Sequence, residues 1–431
     1  MLIKILFITA AAIIVSLYYF PFVLPFMSGM TGKTVMAGIG LALLIYQLAR
    51  KHQSDIKKEM YILFAWAATV SLIGFISTTL NNTTDFSYTG YLISMSVWMA
   101  AAYLTSAIIK WVHGYLSVKL ICNYLIAVCV GQCIIALLIE FVPFVREIAI
   151  AIMGPQDAME KINRLYGIGA ALDTAGSRFS AALVMIIFIV TQLKPTEQKK
   201  YMWWYLLAFV VLAVVGNMIA RTTSVGVILA VLYLIYVSGF FKLHPTPVQW
   251  KIWTKLATLI GLVTIIIVYF YHTNPAIHKY TRFAFEGFFS LAEKGKWEVG
   301  SNKMLQNMYV FPEAIKTWLI GDGYFSPPQD TDPYFTGKIR LGYYMGTDVG
   351  YLRFIFYFGL VGLMAFSTFI YKAYHICTKW FVRWKELFFL LLLVNFIVWF
   401  KVATDIFLVF ALFLMVDKEE NDAHEKVQIA D

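Results

Sequence analysis

Long uninterrupted apolar runs constrain this chain more than any other feature. Stretches such as those near 60–80, 91–109 and 120–140 are almost free of charge and reach the roughly 17–25 residues that a helix needs to cross a bilayer. In hydrocarbon every backbone polar group must be satisfied internally, which leaves only helices and closed barrels. Barrel strands alternate in polarity, whereas these runs are apolar throughout, so the sequence predicts an all-α integral membrane protein. Composition agrees. Hydrophobic residues make up 60% of the 431 and charged residues 14%, against about 45–50% and about 25% in soluble domains. By length alone the chain would hold two or three soluble domains, but the runs argue for a single polytopic membrane domain over 1–431. The first run follows Met1–Lys4 directly, with no small-residue cleavage site and polar mature start, and reads as the first transmembrane helix rather than a removed signal peptide.

Hydropathy predicts about twelve spans. Ten lie near 5–27, 34–49, 60–80, 91–109, 120–140, 178–193, 202–219, 222–241, 256–273 and 348–371, and the stretch 387–416, broken by Lys401 and Asp405, supplies two short ones. The formal charge of +10 would hint at nucleic acid in a soluble protein. Here the excess sits in short loops, at 50–58, 110–119, 194–200, 242–255 and 372–385, and reports topology instead; no nucleic-acid partner is expected. The positive-inside rule makes those loops cytoplasmic. The loop 141–177, the tight connection holding Arg221, and the large loop 275–347 between the ninth and tenth helices then face outward. Both termini lie inside, including a polar tail at 417–431. Long loops in a compact membrane protein usually carry function or cover a site. No inverted repeat of broken helices, the mark of many transporters, is visible. Cys122, Cys129, Cys133 and Cys377 form no CxxC pair and read as small packed hydrophobes.

Charges at membrane depth or edge are costly and therefore functional candidates. The segment RLYGIGAALDTAGSRFSAAL, 164–183, holds Arg164, Asp173 and Arg178 among glycines. Arg178 opens the sixth span either as an anion-binding group or as an anchor that snorkels to headgroups. In ARTTSVGVILA, 220–230, Arg221 stands in a tight hairpin with Thr222, Thr223 and Ser224 as further donors. The planar arginine fork suits a diphosphate, although snorkelling is the plainer alternative. The large loop carries an amphipathic stretch at 278–297, a turn-rich segment WLIGDGYFSPPQD, and many aromatic residues. Aromatic rings with polar tips suit sugars and membrane interfaces alike. In YYMGTDVGYLRFIFYFGLVG, 343–362, Asp348 sits where the large loop enters a span. Burial there would favour its neutral form and suit it as a general base; Thr347 or Asp348 could equally cap the helix.

Together these segments resemble the superfamily of O-antigen polymerases and O-antigen ligases. In the ligase branch the late loop ends in a His-Asn pair, then an aromatic-Leu step and a Gly-x-x-Gly. DVGYL and Gly359-Leu-Val-Gly362 are similar to that pattern, but Asp348 stands where the histidine would be, which looks more like the polymerase branch of capsule and O-antigen loci. RTTSVG resembles the family's arginine-led helix start and WLIGDGYF its loop segment ending in Gly-x-Gly, so the resemblance covers about 160–365. It implies polymerisation of polyprenyl-diphosphate-linked oligosaccharide repeat units on the outer face of a bacterial inner membrane, feeding lipopolysaccharide, capsule or exopolysaccharide. Asp348 would deprotonate the acceptor hydroxyl while Arg178 and Arg221 hold the donor diphosphate. Arg164, Arg282, Arg340, Tyr351 and Arg353 would orient substrate. The reaction needs no cofactor and no metal, and the expected partners are the lipid-linked glycan donor and acceptor, membrane lipids, a flippase and a chain-length regulator. A ligase that moves a finished glycan to another acceptor, and a lipid-linked sugar flippase or other transporter, are the alternatives.

Overall fold

A computed structural model describes residues 2–25, 27, 29–51, 58–155, 164–239, 247–328, 335, 337–340 and 342–422. The protein is 77% helical. Its helices are α1 Leu2–Tyr19, α2 Gly32–Lys51, α3 Lys58–Leu80, α4 Tyr91–His113, α5 Val118–Phe141, α6 Pro143–Met153, α7 Leu172–Gln192, α8 Pro195–Ile219, α9 Thr223–Val237, α10 Pro247–Thr273, α11 Pro275–Ala284, α12 Glu286–Lys294, α13 Gly300–Gln306, α14 Ile315–Ile320, α15 Gly350–Trp380, α16 Lys385–Val398 and α17 Phe407–Leu414. A two-stranded hairpin, β1 Ile339–Arg340 and β2 Tyr343–Tyr344, pairs Ile339 with Tyr344 and Arg340 with Tyr343. Among the described residues eight helices are long and apolar enough to cross a membrane, with α1 and α9 shorter apolar helices beside them. The chain is an all-α membrane protein.

Several boundaries differ from the hydropathy reading. The first helix stops at Tyr19 rather than running to 27, because Pro21 and Pro25 cannot donate backbone hydrogen bonds; the chain instead turns back so that Val23 bridges Thr31. Arg178 does not open its span, since α7 begins six residues earlier at Leu172. Neither Thr347 nor Asp348 caps α15: the cap is Val349, with no side-chain cap bond. The Thr347 hydroxyl instead accepts from the Val349 amide at 3.2 Å. The expected break in the last apolar stretch is present, between α16 and α17. Parts of the predicted loops 50–58, 141–177, 242–255 and 275–347, and most of the tail 417–431, lie outside the described residues.

The chain divides into two compact units, Met1–Val35 with Thr105–Trp297 and Val416–Asp431, and Met36–Leu104 with Glu298–Met415. The first is built around α7, whose residues Ala175–Val190 are all buried. A helix apolar on every side belongs inside a bundle. By contrast α10 exposes Ile260, Leu262, Ile265 and Ile266 along its length, as a lipid-facing helix should. Lys119 pairs with Glu197 at 2.7 Å and Lys110 with Glu420 at 2.7 Å. The basic loops 110–119 and 194–200 and the start of the tail therefore share one end of this unit.

In the second unit Lys379 pairs with Glu59 at 3.0 Å, which brings one end of α15 to the start of α3. At the other end α15 breaks. Phe358 leaves helical geometry and Gly359 takes φ +67°, ψ −172°, a conformation open essentially to glycine alone. A break leaves helix carbonyls without their usual partners. Here the Asp322 amide donates to Phe356 O at 2.6 Å, the Gly323 amide to Tyr357 O at 3.1 Å, and the Ser77 hydroxyl to Tyr357 O at 2.6 Å. The loop after α14 is thus seated on the break through its main chain. A Cβ on Gly359 would overlap the Leu319 carbonyl. We expect Gly359→Ala to cost roughly 2–4 kcal/mol, from disfavoured φ/ψ and overpacking together, read as a lower Tm of the purified protein. Gly261→Ala, at an open position on α10, should leave Tm unchanged, and equal melting of both variants would remove the argument.

Candidate functional site

Each unit carries one constellation of the predicted residues. In the first, α8 ends at Ile219 and α9 begins at Thr223, so Arg221 stands at the apex of a turn. The Thr223 amide closes that turn on Ala220 O at 3.0 Å, and the Ser224 amide on Arg221 O at 3.0 Å. Small residues let α7 press against it, as they do wherever membrane helices approach closely. The Ser180 hydroxyl donates to Thr222 O at 3.0 Å and accepts from the Gly226 amide at 3.0 Å, and a Cβ on Gly176 would lie 2.8 Å from Thr222 Cβ. The Thr222 hydroxyl donates to Asp173, which fixes the first turn of α7 to the Arg221 turn.

Arg221 Nε donates to Phe283 O at 2.8 Å, its Nη2 meets Glu286 at 2.6 Å, and its Cζ lies 4.1 Å from the Phe283 ring centre. Arg164 approaches the same ring, at 5.1 Å. Two guanidiniums therefore lie against one aromatic ring, with Glu286 and Asp173 as the acids nearest Arg221. Burial lowers the Arg221 pKa and the Arg164 charge lowers it further, while Glu286 and Asp173 push it back up; an arginine so placed remains a cation. The Arg221 side chain is only 15% exposed and Glu286 38%. Such a site suits an anion that takes the position of the Glu286 carboxylate.

Arg178, also predicted for the diphosphate, is buried on α7 against other rings, with Cζ 5.6 Å from Phe20 and 5.9 Å from Tyr19. Arg282 makes a two-pronged pair with Glu293 at 2.8 and 2.8 Å and donates to the Tyr271 phenol at 3.2 Å. It ties α10, α11 and α12 together. The Thr223 and Ser224 hydroxyls, predicted as ligand donors, turn inward: Thr223 donates to Gly216 O at 3.0 Å and Ser224 to Arg221 O.

In the second unit Asp348 precedes α15 and pairs with Arg353 at 3.2 Å, the two side chains 19% and 14% exposed. Arg353 also donates to Phe325 O at 2.9 Å and lies 3.8 Å over the Phe325 ring. Its Nε is buried with no hydrogen-bond partner among the described residues. Phe325 is held in turn by Asp85, which accepts from the Phe325 and Ser326 amides at 2.8 Å each. Beside them Asp322 accepts from the Tyr344 phenol at 3.1 Å and from Thr317 at 2.6 Å. Burial first, and then the Asp322 charge, hold the Tyr344 phenol well above its usual range, so Tyr344 keeps its proton and donates. A carboxylate fixed by a guanidinium at the mouth of a helix can accept a proton from a hydroxyl brought within reach.

Two other predicted residues have different surroundings. Tyr351 donates to Phe396 O at 2.9 Å and packs on Trp399 and Phe400, a load that is structural. Arg340 is exposed on β1. Phe283, Glu286, Asp85 and Asp322 did not stand out in the sequence. Asp85 had a signal, since a serine two residues on is the pattern of a side chain that closes its own turn, and its carboxylate does accept from the Ser87 amide at 3.1 Å. No family model, no curated protein and no solved structure matches the chain.

Proposed function

We propose that this protein is a membrane glycosyltransferase that polymerises polyprenyl-diphosphate-linked oligosaccharide units into O-antigen, capsule or exopolysaccharide. The observation that carries the reading is the sharing of the Phe283 ring by Arg164 and Arg221. Two guanidiniums held against one ring beside a helix turn support diphosphate recognition, which arginine achieves by parallel N–H···O bonds. In the reaction an acceptor sugar hydroxyl attacks the anomeric carbon of the donor chain. The bond from that carbon to the diphosphate oxygen breaks, the polyprenyl diphosphate leaves with the electron pair, and the hydroxyl proton passes to a carboxylate, the role the family resemblance gives Asp348. Arg221 and Arg164 neutralise the charge that grows on the leaving group, and Arg353 positions Asp348.

The finer topology belongs to the same proposal. It has about twelve spans, loops 141–177 and 275–347 outside, both termini inside, and a bacterial inner membrane. A flippase and a chain-length regulator are its natural partners. Ser301→Cys tests the orientation: an impermeant thiol reagent should label it in intact cells or spheroplasts, and labelling only after lysis would overturn both the topology and the mechanism. The activity itself is tested by a glycan ladder gel from cells lacking the gene. Loss of the ladder to a single repeat unit, restored by the wild-type chain, is expected. Loss of all glycan, long and short alike, would point to a flippase or ligase instead.

A further inference from the structure

At the end of the first unit opposite the Arg221 turn lies a cavity of about 290 Å³ whose lining includes Lys119, Asn123, Glu197, Tyr201 and Tyr205. Glu197 and Arg221 stand at the two ends of α8; at 1.5 Å per residue they are separated by about 36 Å along the helix, slightly more than a bilayer core. The cavity therefore sits at headgroup level on the face of the basic loops 110–119 and 194–200. No step of the proposed reaction uses it.

The lining narrows the ligand. Glu197, Tyr201 and Tyr205 follow one another at intervals of four on α8, a single stripe along the helix. Lys119 and Glu197 form a direct ion pair at 2.7 Å on the cavity wall, both half-buried at 27% and 28% exposure. The Tyr205 phenol donates to Asn123 at 2.7 Å, which fixes the wall. An anion would engage Lys119 but confront the Glu197 carboxylate; a cation would do the reverse. A group carrying both signs can lie antiparallel along the ion pair, its ammonium meeting Glu197 and the tyrosine faces and its phosphate meeting Lys119. Beside the stripe, Trp204 is 71% exposed and Leu207 38% exposed, an apolar flank along which acyl chains can lie. Tryptophan at this depth is typical of the interface.

We propose that this cavity is a binding site for the headgroup of a zwitterionic phospholipid of the phosphatidylethanolamine type. The inference is independent of the polymerase reading. The test is native mass spectrometry of the full chain in detergent, titrated with dihexanoyl phosphatidylethanolamine or dihexanoyl phosphatidylglycerol. Phosphatidylethanolamine should bind about tenfold more tightly, and Glu197→Gln should remove that preference. Because Glu197 also braces α5 against α8, Tyr201→Ala provides a second variant at a 41% exposed position, and it should weaken phosphatidylethanolamine severalfold without changing Tm. Equal or tighter binding of phosphatidylglycerol would mark a plain anion site and overturn the proposal. So would wild-type affinity for phosphatidylethanolamine in both variants, or displacement of the lipid by millimolar maltose, which would mark a sugar site.

Discussion

Arg221→Lys should reduce polymer output about ten- to hundredfold while the protein still inserts and accumulates. Arg221 uses Nε on Phe283 O and Nη2 on Glu286 at the same time. A lysine ammonium is a point charge that cannot hold a carbonyl and an anion in one plane. Losing a charge-assisted hydrogen bond costs roughly 1.5–3 kcal/mol, which is about that factor in rate. The charge itself is retained, so an anchor that merely snorkels to headgroups would be replaced without loss. The ladder gel reads the difference: near-normal glycan chains from the lysine variant would make Arg221 an anchor and remove the diphosphate from this turn.

Asp348→Asn should have the larger effect, on the order of 10²–10⁴ in rate, the usual contribution of a positioned general base. The substitution keeps the shape and leaves an oxygen for Arg353, which now sits 3.2 Å from the carboxylate, so a loss cannot be assigned to a missing neighbour. Cells carrying the variant should show the single repeat unit without the ladder. A full ladder would keep the membrane transferase reading open and strike Asp348 from it. The two substitutions lie in different units, so checking the amount of inserted protein in each variant separates a chemical loss from a folding one.

Much of the architecture is legible in the sequence because burial in lipid demands a continuous signal, and α3, α4 and α5 declare themselves over more than twenty residues each. The tight turn at Arg221 is legible for a related reason: two apolar runs leave no room for a loop between them. Neighbourhood is another matter. Arg178 and Arg221 look alike as membrane-edge arginines, yet one packs beside Tyr19 and Phe20 and the other shares Phe283 with Arg164. Nothing local distinguishes them, since the rings arrive from distant parts of the chain. The same holds for Asp85, whose amide partners Phe325 and Ser326 lie some 240 residues away. The break in α15 was hidden differently: Gly359 stands out in the sequence only as part of Gly359-Leu-Val-Gly362, and only the overlying Leu319 carbonyl shows why no side chain fits.

That break also bears on how the protein can diversify. The loop after α14 is held on α15 by the amides of Asp322 and Gly323, groups that every residue except proline possesses. An attachment of this kind is indifferent to the side chains it carries, provided the glycines that permit the close approach persist. Substitutions can therefore change the side chains of the loop one after another while the main-chain seat stays constant, so the joint tolerates far more sequence change than a side-chain contact would.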